Sequence, residues 1–159
     1  MTIGPDAFRS VLGRFPSGIT VVTAVDADGR DVGMTVSAFS AASLHPPLVQ
    51  ICVGREASAF AALQQANEFG VSILSSDQES LSRRFAEEDS VHRFDGIGYM
   101  RGDSGVVLLS DALAHIECRK IAGYEAGDHV IFVGEVERAT TGDARPLLYY
   151  RGGYAQLER

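Results

Sequence analysis

Four hydroxyls recur within one short segment, GMTVSAFSAAS: Thr35, Ser37, Ser40 and Ser43. Read as a strand over 33–39, Thr35 and Ser37 share one face with Phe39, and Met34, Val36 and Ala38 form an apolar face. Small side chains let a flat heterocycle approach the backbone, and hydroxyls hydrogen-bond to ring carbonyls and nitrogens. The same row also suits a half-exposed strand whose small polar residues face water. Just downstream, GREAS places Arg55 and Ser58 on either side of a turn into a helix. Free amides, a hydroxyl and a guanidinium there bind phosphate, although a plain N-cap beside a solvated arginine reads equally well. The third candidate is His129, which opens the strand-like run HVIFVGEVE. Alternation puts Val130, Phe132, Gly134 and Val136 on one face, and His129 at the mouth end of the mixed face. Asp128 is its neighbour, and an extended backbone points the two side chains apart, so no acid–histidine dyad is expected.

These residues need elements to hold them. Phe8, Val11, Leu12 and Phe15 follow the spacing of a one-faced helix, with Pro5 in its first turn and Pro16 and Gly18 ending it. The runs 19–25, 32–39, 46–53, 70–74, 106–109, 113–121 and 129–139 read as strands, and 146–150 as a last short strand or loop. Asp28-Gly29 marks a hairpin between the first two. A helix is expected over 58–69 with Ser58 as its N-cap. A second follows a capping-box pattern formed by Ser76 and Glu79. Segment 94–105 reads as turns. Close hairpins favour antiparallel pairing, and a closed or partly closed Greek-key barrel with helices over its openings protects the edges. The absence of repeats and linkers predicts a single domain over 1–159.

A net charge of −7 argues against non-specific nucleic-acid binding and requires a local cationic patch for any anionic ligand. Two cysteines without a CxxC spacing, and no signal-like or membrane-spanning run, predict a reduced cytoplasmic chain that does not enter a membrane. GDSG (102–105) has the look of a protease nucleophile segment, but Val106 follows it and the chain is too short for that architecture, so a turn is expected. The four histidines lack metal-ligand spacing and predict no metal site. The Arg83–Arg84 pair reads as a solvated helix face.

FPSGITVVT, GMTVSAFSAASLHPPLVQICV, VSIL, HRFDGI and GDHVIFVGEVE, in this order, resemble the flavin reductase family. The resemblance runs from about Phe8 to Tyr154. It implies a mainly β chain with flanking helices, in the split β-barrel (Greek key) FMN-binding fold, commonly a homodimer. The implied activity is reduction of FMN or FAD by NADH or NADPH, with reduced flavin passing to a separate monooxygenase. On the family pattern Thr35, Val36, Ser37 and Ala38 line the isoalloxazine, and Ser40 and Ser43 continue the pocket. Arg55 and Ser58 hold the flavin phosphate, with Ser75 or Gln78 toward the ribityl or phosphate end. His129 is the nicotinamide-side residue, and Tyr154 and Arg151 of RGGY reach the nucleotide. His45 departs from the acidic or amide residue more common in relatives. Two other readings stand beside this one: a pyridoxamine-phosphate-oxidase-like flavin oxidase, and a non-enzymatic flavin-binding module.

Overall fold

The β-branched run after Pro16 forms β1 (Ser17–Gly18) and β2 (Thr20–Val25). Its hydrophobicity is continuous because β2 is covered on both faces: Val21 and Val22 point opposite ways and both are fully buried. The computed structural model describes residues 1–87 and 89–158. Asp28-Gly29 turns the chain into β3 (Asp31–Val36), and after two unpaired residues it resumes as β4 (Phe39–Ser43). There follow β5 (Leu48–Gly54), α2 (Phe60–Gln65), β6 (Glu68–Ile73) and α3 (Glu79–Ala86), with α1 (Pro5–Leu12) preceding them all. The short pair β7 (Tyr99–Arg101) and β8 (Val107–Leu109) leads into two long strands, β9 (Ala114–Ala126) and β10 (His129–Thr141). The chain finishes with the hairpin β11 (Leu147–Tyr150) and β12 (Gly153–Gln156).

Seven strands form one antiparallel sheet in the order β3-β2-β6-β9-β10-β5-β4. The two edge strands, β3 and β4, are separated in sequence only by Ser37 and Ala38. Three Cα steps span at most about 11 Å, so the sheet curls until its edges meet at this corner. There the Cys52 amide donates to the Ala38 carbonyl at 3.0 Å. Among the described residues β3 and β4 do not pair, so of the closed or partly closed barrel expected, a closed ring is not made. Inside the curl Val22, Ile51, Val53, Phe69, Val71 and Phe132 make one core. On the other face of β2, Ile19, Val21, Leu74, Phe85, Leu109 and Leu147 make a second, under α3 and β8. Each such side chain contributes about 1.5–3 kcal/mol of burial.

Several expectations shift. The strand read over 33–39 ends at Val36, and Phe39 and the SAAS segment form a separate strand, β4. Val36 lies in the core and Ala38 is exposed, so the predicted apolar face does not continue past the break. The helix read over 58–69 shortens to α2, because Ala66 is extended and the Lys120 ammonium caps the helix end on the Leu63 and Gln64 carbonyls. Segments 99–101 and 153–156 are strands where turns or loop were expected. No residue of α1 is buried.

Candidate functional site

The corner at Ser37–Ala38 is where the predicted site residues converge. From β3, the Thr35 hydroxyl donates to the Ser82 carbonyl on α3 at 2.6 Å. The Ser82 hydroxyl in turn shares a 2.8 Å hydrogen bond with the Tyr154 hydroxyl on β12. Tyr154 is fixed further by an edge-on contact with Tyr149 and by the Arg83 guanidinium, 4.7 Å from its ring centre. Thr35, Ser82, Tyr149 and Tyr154 line a cavity of about 220 Å³ together with Ile19 and Ser37. A second cavity, about 490 Å³, lies between α1 and the corner and is lined by Phe8, Leu12, Ser37, Ala38, Tyr149 and Arg151. Arg151 stands at the tip of the two-residue β11–β12 turn with φ of 53°, and its amide donates to the Gly13 carbonyl.

The other wall is the open end of β5 and β10. Ala38 meets β5 at Cys52, and His129 pairs with Gly54, two residues or about 7 Å further along the strand. Gly127 and Asp128 form the two-residue turn between β9 and β10, with Gly127 at φ of 65°. Asp128 therefore belongs to a turn, not to the extended strand, and its carboxylate folds back to the His129 Nδ1 at 2.8 Å. This corrects the expectation that the two side chains diverge. The hydrogen bond to His129 holds the Asp128 carboxyl below its ordinary value of 3.8. An ionised carboxylate only accepts, so Nδ1 carries the proton and Nε2 is left on the Gly54 side.

Other predicted residues sit elsewhere. Arg55 flanks the same turn, but its guanidinium is engaged by the Gly127 carbonyl and by Glu125, each at 3.4 Å. Ser58 is not an N-cap: α2 starts after Ala59, and Ser58 accepts a 3.2 Å hydrogen bond from Arg93. Val36 turns its side chain into the core. Ser40, on the edge strand β4, accepts from Gln50 at 2.9 Å, and Ser43 ends that strand. Ser75 and Gln78 are buried in a capping box of their own, one residue earlier than the pattern read from sequence, and Gln78 also donates to the Ser110 carbonyl. Their hydrogen bonds are to protein atoms. Sequence reading missed Ser82 and Tyr149. Ser82 lies in SLSRRF, read as a solvated face, yet it is fully buried and links Thr35 to Tyr154.

The corner thus offers hydroxyls and exposed small residues between a tyrosine-bearing wall and an imidazole-bearing wall. Residues 12–158 match the family model described as flavin reductase like domain. The chain belongs to the flavin reductase family. It is 43% identical over 149 residues to the NADH-dependent FAD reductase of Streptomyces globisporus, covering 91% of this chain and 81% of that one. It is 40% identical over 153 residues to the FMN reductase (NADH) SmoA of Agrobacterium fabrum, covering 96% and 86%. Among solved structures it superposes with a TM-score of 0.91 on the Streptomyces globisporus C-1027 NADH:FAD oxidoreductase SgcE6 in complex with NAD and FAD fragments. That pair shares 38% identity and covers 99% of this chain and 96% of that chain.

Proposed function

We propose that this protein is an NAD(P)H:flavin oxidoreductase that reduces FMN or FAD and releases reduced flavin to a separate monooxygenase. The observation that carries the reading is the Ser37–Ala38 corner, flanked by Tyr154 and Ser82 on one side and by the Asp128–His129 pair on the other. The residues present fit a flavin: Ser37 and Ala38 are small and exposed, and both line open cavities. A bound flavin accepts a hydride from the reduced nicotinamide ring.

The chain's contribution is positional. Ser37, just past the end of β3, offers an uncommitted hydroxyl for ring oxygens and nitrogens, while Thr35 spends its proton on the Ser82 carbonyl and serves to hold α3 against this wall. His129, oriented through Nδ1 by Asp128, holds the nicotinamide side, and ring-to-ring alignment is worth far more than any proton it could move. Tyr154 and Arg151 reach the nucleotide from the β11–β12 hairpin, and α1 covers the rim and excludes water. Ser40 and Ser43 extend the polar row along β4, and Arg55 stands beside the imidazole as a local positive charge. The open, curled sheet is read as the split barrel of this family, with residues 1–159 acting as one domain in a reduced cytoplasmic setting. The exposed stripe of α1 supports a homodimer.

Relatives named as reductase subunits of flavin-dependent monooxygenases support the oxygenase partner. Steady-state assays crossing FMN and FAD with NADH and NADPH test the reading. The expected outcome is flavin-dependent nucleotide oxidation, with reduced flavin reaching a separately added oxygenase. Flavin binding without nucleotide oxidation identifies a storage module. Oxidation of an amine substrate by oxygen without nucleotide identifies an oxidase of the pyridoxamine-phosphate type.

A further inference from the structure

The tyrosine-bearing wall hangs on a serine that solvent does not reach. Ser82 sits in the middle of α3 and is 0% exposed. Two other elements are tied to it. Its carbonyl accepts the Thr35 proton from β3 at 2.6 Å, and its hydroxyl lies 2.8 Å from the Tyr154 hydroxyl on β12. A serine inside a helix commonly turns its hydroxyl back onto the carbonyl one turn earlier. Here the hydroxyl reaches across to the β11–β12 hairpin instead, and among the described residues Tyr154 is its one hydrogen-bond partner.

Two hydroxyls joined by one hydrogen bond have two protons to place, and only one of these lies between the oxygens. If Tyr154 donated, the Ser82 proton would be left in fully buried space with no acceptor, and an unsatisfied buried donor bears the whole penalty of its lost hydration. If Ser82 donates, the free proton is the phenol's. Tyr154 is half-buried and lines the cavity of about 220 Å³ beside Ser37, so that proton faces space that a ligand or water fills. The second arrangement is therefore the stable one. The ring that carries the proton is itself held, by Tyr149 edge-on at 5.7 Å between centres and by the Arg83 guanidinium at 4.7 Å. Ser82 and Arg83 are neighbours in α3, so one turn of helix fixes both the ring and the direction of its O–H. Thr35 cannot serve as that donor, because its proton is already on the Ser82 carbonyl. Arg83 also lines the outer side of Tyr154, and its positive charge there favours an oxygen of an anionic cofactor as the acceptor.

We propose that Ser82 is a positioning residue for cofactor binding: its buried hydroxyl donates to Tyr154 and so makes Tyr154 a directed donor to an acceptor oxygen of the bound nucleotide or flavin. This rests on the flavin reductase reading and adds a polarity to the wall, in which Tyr154 donates and does not accept. A double-mutant cycle tests it, with KM for NADH and the dissociation constant of the flavin as the two readouts. Tyr154→Phe raises one of them about three- to tenfold, the size of one neutral hydrogen bond. Ser82→Ala raises the same one about threefold, and the double variant is no weaker than Tyr154→Phe alone. Ser82→Cys, which keeps a weak donor, falls between wild type and Ser82→Ala. A rise in KM for NADH puts the acceptor oxygen on the nucleotide, and a rise in the flavin constant puts it on the flavin; either supports the proposal. Losses that multiply in the double variant overturn it, because Ser82 then acts through packing and independently of the phenol. Ser82→Ala that binds both cofactors like wild type overturns it too. Should Ser82→Ala fail to fold, Ser82→Cys takes its place in the cycle. A wild-type protein that oxidises no NADH with either flavin overturns the reductase reading and the proposal with it, and is told apart from a multiplicative cycle, which is seen only in an active enzyme.

Discussion

At the residue scale the account turns on one imidazole and the carboxylate that orients it. Because Asp128 sits in a turn, it can reach back to His129, and that hydrogen bond lowers its pKa. The sign is that of a carboxyl stabilised by its partner. The interaction is complete above the ordinary value of 3.8 and is lost only as pH falls through the lower folded value. His129→Ala slows flavin reduction in single-turnover mixing by about tenfold to a hundredfold, the range of a misplaced reacting ring, and leaves flavin affinity nearly intact. Unchanged turnover removes His129 from the mechanism. Asp128→Ala gives a smaller, several-fold loss in the same assay, and that loss persists across neutral pH. The histidine and the hydroxyl row were legible in the sequence because chemistry-bearing side chains stand out against an apolar strand. The Asp128 contact was not, since alternation rules hold only inside a strand.

At the element scale, tight packing is concentrated where the long strands cross the core. β10 is irregular between Val133 and Gly134, and a Cβ at Gly134 would come within 2.6 Å of Phe69 and 2.7 Å of Cys118. Gly134→Ala therefore lowers stability by about 1–3 kcal/mol, as overpacking does, seen as a lower urea midpoint; a midpoint equal to wild type removes that crowding argument. The β11–β12 turn carries the opposite signal. Arg151 and Gly152 both have positive φ, a conformation that asparagine–glycine adopts more readily. Arg151→Asn stabilises the protein by about 1 kcal/mol, and the proposed contact of Arg151 with the nucleotide predicts a raised KM for NADH in the same variant. A stabilised variant with unchanged KM separates Arg151 from binding. The strands themselves were readable from β-branched runs and the Asp28-Gly29 turn. The break after Val36 was not, because threonine, serine and alanine alternate straight through it and only the curl of the sheet dictates where pairing stops. β12 was hidden for a related reason: RGGY has the composition of a loop, and its pairing depends on β11.

At the scale of the molecule, the unanswered surface is α1. Phe8, Val11 and Leu12 of α1 and Phe15 just beyond it are 55%, 65%, 51% and 78% exposed, an apolar stripe that its own chain covers only in part. A homodimer covering it predicts a sedimenting mass near twice 17.0 kDa, and a monomer for the double substitution of Phe8 and Leu12 by serine. A wild-type monomer contradicts the dimer. No helix of the described residues is long and apolar enough to cross a membrane. The net charge of −7 makes the few inward cations decisive for two anionic ligands. The measurement that bears most directly on the whole account is anaerobic rapid mixing of the protein, one equivalent of flavin and NADH. The account predicts that the visible flavin band bleaches as one nucleotide is oxidised per flavin. A flavin band that stays unchanged, with flavin bound and nucleotide in excess, contradicts it.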